Sequence, residues 1–82
     1  MAFNKTERVE KLNNIIDETQ AEINEVEVTI QKLNTIKDEN TNEIIIQEID
    51  KSINSLKTQK EFLEQIKEDD SNHRDLLKTE VL

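Results

Sequence analysis

The stretch Lys37-Asp38-Glu39-Asn40-Thr41-Asn42-Glu43, KDENTNE, stands at the middle of an 82-residue chain and contains neither glycine nor proline. If one helix runs through it, the protein is a single long rod. If the chain turns there, it is a hairpin. Upstream, Val9, Leu12, Ile16, Thr19, Ile23, Val26, Ile30 and Leu33 recur at alternating spacings of three and four, the seam of a coiled coil. Carried through KDENTNE, that frame would place Lys37, Asn40, Ile44, Gln47, Lys51, Asn54, Thr58 and Glu61 on the seam, and only Ile44 among them is apolar. A second frame starts instead at Ile46 and continues through Ile49, Ile53, Leu56, Lys60 and Leu63, displaced from the first by two residues. Continuous coiled coils absorb insertions of three or four residues, not two. The seam is broken at KDENTNE.

Local signals agree with a break. Asn4 with Glu7 has the spacing of a capping box, and Asn40 with Glu43 repeats it after the turn. Asp38, Asn40 and Asn42 accept turn conformations without glycine. Val26-Glu27-Val28-Thr29-Ile30 alternates like a strand, but five residues of alternation inside a long heptad pattern read as helix. The expectation is a single all-α domain, residues 1–82, folded as an antiparallel two-helix coiled-coil hairpin. Helix 1 spans about 4–37, the turn 38–41 and helix 2 about 42–69. Beyond Ile66 the stripe weakens, and Asp69-Asp70-Ser71-Asn72 gathers residues favoured at helix N-caps. A short third helix or tail over 72–82 and a frayed continuation of helix 2 both fit, with Leu76, Leu77 and Val81 available to fold onto Phe3 and Val9.

An antiparallel register follows from pairing residues whose numbers sum to 79. Leu33 then faces Ile46, Ile30 faces Ile49, Val26 faces Ile53, Ile23 faces Leu56 and Ile16 faces Leu63. Thr19 meets Lys60 in a polar layer that would specify register at some cost in stability. In this register Lys5, Arg8 and Lys11 lie along Glu64, Glu68, Asp69 and Asp70. The acidic run from Asp17 to Glu27 lies along Lys51, Lys57 and Lys60. Such pairs are individually weak but disfavour other registers.

Off the seam, Ile15, Phe62 and Ile66 widen the apolar stripe toward the open end, and Ile36, Ile44 and Ile45 widen it near the turn. Two helices cannot cover them all, and a chain this short has little core of its own. A homodimer closing into a four-helix bundle, or a different protein, is expected on this face. The formal net charge of -8 and the lack of any aromatic residue besides two phenylalanines oppose direct nucleic-acid binding. Asp38, Glu39, Glu43, Glu48 and Asp50 have no basic residue within 38–50 and form a candidate acidic docking tip for a basic partner.

Chemistry is poorly provided for. With no cysteine there is no disulfide, zinc–thiolate site or thiol nucleophile. His73 is the sole histidine, Glu68-Asp69-Asp70 points its carboxylates apart on a helix, and no glycine exists to build a phosphate loop. No catalytic residue, metal or cofactor is assigned, and the protein is expected not to be an enzyme. Ile44-Ile45-Ile46 is the longest run of large apolar residues, far short of a membrane span. The start, MAFNKTER, lacks the apolar core of a signal peptide, and Ala2 stands where myristoylation needs glycine. A cytoplasmic protein is expected, and abundant Asn, Ile, Lys and Glu fit a small protein of phage, mobile-element or bacterial origin. The leading functional expectation is an adaptor or regulator acting through the helical-hairpin surface. A nucleic-acid-mimicking inhibitor of a DNA- or RNA-binding protein and a purely architectural bundle are the alternatives.

Overall fold

Two helices joined by a four-residue link make up the computed structural model, which describes residues 4–79. Helix α1 is Lys5–Asp38 and α2 is Glu43–Thr79. They pack side by side along most of their length into a hairpin with extents of 63 × 19 × 14 Å. At about 1.5 Å of rise per residue, α2 alone accounts for most of the long dimension.

Each helix start is made by an asparagine. Asn4, in an extended backbone conformation, accepts the Glu7 N–H at 3.1 Å and caps α1. The second cap is Asn42 rather than the expected Asn40: its Oδ1 accepts the Ile44 and Ile45 N–H groups at 2.9 and 3.3 Å. Helix α1 ends as the Glu39 N–H bonds Thr35 O at 3.2 Å and the Asn40 N–H bonds Lys37 O at 3.1 Å. No described residue has a positive φ, so this link needs no glycine.

Helix α2 passes through Asp69-Asp70-Ser71-Asn72 without interruption, so the described residues hold no separate third helix. Residues of N-cap type start a helix only where the preceding backbone leaves helical geometry. Here the seam simply continues: Leu77 is buried and Val9 is half-buried. Phe3 and Val81 lie outside the described residues.

The register is one heptad from the expected one. Four cross-helix contacts define it: Lys37 with Asp50, Glu27 with Lys60, Gln20 with Lys67, and Asn13 with Arg74. The residue numbers of every pair sum to 87. Leu63 packs with Ile23 and Val26, and Leu56 belongs to the same cluster with Ile30, rather than Leu63 with Ile16 and Leu56 with Ile23. The seam layers thus sum to 86 in place of 79, and the expected Thr19–Lys60 layer is absent. Lys60 comes to Glu27 near Val26, while Lys67 comes to Gln20 beside Thr19. A slip of seven residues keeps every seam residue on the seam, so the stripe itself does not select between the two. The ends separate them. The observed register brings Leu77 level with Val9, whereas the expected one would carry it past the start of α1.

Candidate interaction surface

In heptad terms, a and d form the seam, and none of the expected seam positions is fully exposed. Ile16, Thr19, Ile23, Val26, Ile49, Ile53 and Leu63 are buried, and Val9, Leu12, Ile30, Leu33, Ile46, Leu56 and Lys60 are half-buried. Thr19 satisfies its hydroxyl by donating to Ile15 O at 2.8 Å, so its burial strands no polar atom. The core is one layer thick, and even Ile23, the most buried of its residues, is 3% exposed.

The two long edges of the hairpin differ in kind. Along the e edge, cations at a positions lean out of the seam and reach across to the other helix. Lys60 Nζ lies 3.1 Å from Glu27 and 3.7 Å from Glu64, Arg74 donates to Asn13 at 3.0 Å, and Lys67 donates to Gln20. Lys37 does the same from α1, 2.7 Å from Asp50. Stems of this kind cover apolar seam atoms while the charged heads stay at the rim. For Lys60 the hydrogen bond to Glu27 raises the ammonium pKa above its ordinary 10.5, helped by that carboxylate's charge; Asp50 does the same for Lys37. An open groove on this edge is lined by Gln20, Ile23, Glu27, Glu64, Lys67 and Glu68.

The g edge is built of isoleucine and short polar residues instead. From Ile15 onward its positions are Ile15, Glu22, Thr29 and Ile36 on α1, and Ile45, Ser52, Gln59, Ile66 and His73 on α2; of these Ile66 is half-buried and the rest are exposed. Ile15 is 44% exposed, Ile36 48% and Ile45 44%. Phe62 and Leu76, each 67% exposed, flank the same edge from position c, while Ile44 stands further out at the turn end. A small apolar recess lies among Arg8, Lys11, Leu12, Ile15 and His73. Leftover isoleucines are visible in the sequence, but their sharing one edge depends on the frames of both helices together.

The acidic tip is smaller than expected. Asp50 is engaged by Lys37, and Glu48 lies 3.2 Å from Lys51, two cations just outside the 38–50 window. Asp38, Glu39 and Glu43 remain without an ion pair among the described residues. Among those residues no group of three His, Asp or Glu side chains is arranged to hold a metal ion. Neither helix is long and apolar enough to cross a membrane. No protein family, curated protein or solved structure matches the chain.

Proposed function

We propose that the protein is a small non-enzymatic interaction module, an adaptor or regulator, whose working surface is the apolar g edge of the hairpin. The observation that carries this reading is the asymmetry of the edges. One is closed by strapping cations, while the other leaves Ile15, Ile36 and Ile45 nearly half exposed in a chain with little core to spare. Aliphatic side chains left in water along one line favour protein association. Nucleic-acid mimicry is the weaker reading, because two of the five tip carboxylates are already paired with lysines.

The test compares the wild-type chain with Ile15→Glu/Ile45→Glu, each immobilised and exposed both to cell extract and to free chain. Specific protein, whether other chains or further copies of this one, should be retained by the wild type and lost from the variant. Helicity of the soluble variant should be unchanged, because those side chains do not belong to the hairpin core. Equal retention by both would overturn the reading, and so would retention of nothing by either.

A further inference from the structure

We infer that the occupant of the g edge is a second copy of this chain, turned end for end, so that two hairpins close into a four-helix bundle with α1 lying antiparallel on the other α1. This rests on the reading of that edge as the working surface and names its partner. On α1 the edge reads Ile15, Glu22, Thr29, Ile36, two isoleucines three heptads apart, roughly 31 Å along the axis. A two-fold axis crossing α1 midway between them sets Ile15 against the second copy's Ile36 at both ends of the contact. The register of the hairpin then fixes what α2 meets. Phe62 lies within about 2 Å of that axis along the helix, so the two Phe62 rings come together at the centre. Ile45 comes level with the second copy's Leu76. Exposed apolar side chains thus find one another in a self-complementary contact.

A two-fold axis parallel to the helices would instead bring like ends together, laying α1 on the second copy's α2. Phe62 would then face Glu25, Glu18 would come level with Asp69, and Glu39 with Glu48. End for end, Glu18 meets Lys32 and Lys11 meets Glu39, with Glu25 the one flanking position of α1 that faces its own like charge. Opposed charges at the rim favour the first orientation and penalise the second. Surface area agrees with a dimer. The chain exposes 6408 Å², whereas a compact monomer of 9.6 kDa exposes about 5,100 Å². That surplus comes with the hairpin's extended 63 × 19 × 14 Å shape and leaves room for an interface of ordinary size, roughly 800 Å² from each partner.

With no native cysteine, single substitutions report cleanly. The experiment mixes Ile15→Cys chain with Ile36→Cys chain under mild oxidation, and in parallel Ile15→Cys chain with His73→Cys chain, the pair that the parallel axis would bring level. Circular dichroism checks that each variant keeps its helix content. A disulfide-linked heterodimer is expected as the main product of the first mixture, several-fold above the second. Preferential linking in the second mixture would overturn the orientation. A purified chain that stays monomeric would overturn the second copy as occupant, while edge-dependent retention from extract would still leave the interaction surface standing. A dimer that survives Ile15→Glu/Ile45→Glu would overturn both.

Discussion

Lys60 stands where a coiled coil ordinarily places an aliphatic side chain, and it is tolerated because its ammonium escapes to Glu27 and Glu64. The same solution recurs one and two heptads later with Lys67 and Arg74. A pH dependence follows for Lys60 and Lys37, whose folded-state pKa values are raised above 10.5. Their contribution to stability is fully present below 10.5 and is lost as pH rises through the higher folded value. Urea midpoints of the wild type and Lys60→Met, measured from neutral pH upward, should therefore shift against the wild type above 10.5; a constant difference would contradict the assignment. At the turn, Asn42→Ala removes the acceptor for two N–H groups and should cost about 1 kcal/mol. Asn40→Ala should stay within about 0.5 kcal/mol. Equal losses at the two sites in urea titrations would mean that Asn42 is not the cap.

Two helices and the break between them are legible in the sequence because a two-residue frame shift has no place in a continuous coil. The register is not, since sliding by a heptad exchanges one set of seam neighbours for another of similar character. Besides the end of the seam, where Leu77 comes level with Val9, the decision falls to residues that a hydrophobic count ignores: Asn13, Gln20 and Glu27, spaced by sevens, each meet a cation of α2 spaced by sevens in return. The continuation of α2 past Asp70 is obscure for a related reason, because Lys67, Asp70 and Arg74 look like the end of a stripe until the partners of the two cations are in place. Paired spin labels separate the registers, with labelled chain diluted into unlabelled chain to suppress contacts between copies. Labels at Lys32→Cys and Ser55→Cys should lie closer together than labels at Lys32→Cys and Glu48→Cys. The reverse order would restore the register first expected from the stripe.

At the scale of the molecule, a hairpin 63 Å long and one layer thick has surface in excess and core in deficit. Its edges differ in kind: the e edge carries the cations that cross between the helices, and the g edge, the proposed associating face, leaves Ile15, Ile36 and Ile45 exposed. The placement of the apolar face is only partly legible in the sequence, because leftover isoleucines become an edge once two frames and one register have been fixed. Net charge of -8 keeps separate molecules apart at low salt, so added salt should strengthen self-association rather than weaken it. The most direct measurement is light scattering coupled to size exclusion on the purified chain, repeated across a dilution series and on Ile15→Glu/Ile45→Glu. The wild type should run at twice the chain mass of 9.6 kDa and the variant at the monomer mass with its helices intact. A fully helical wild-type monomer at every concentration would contradict the dimer.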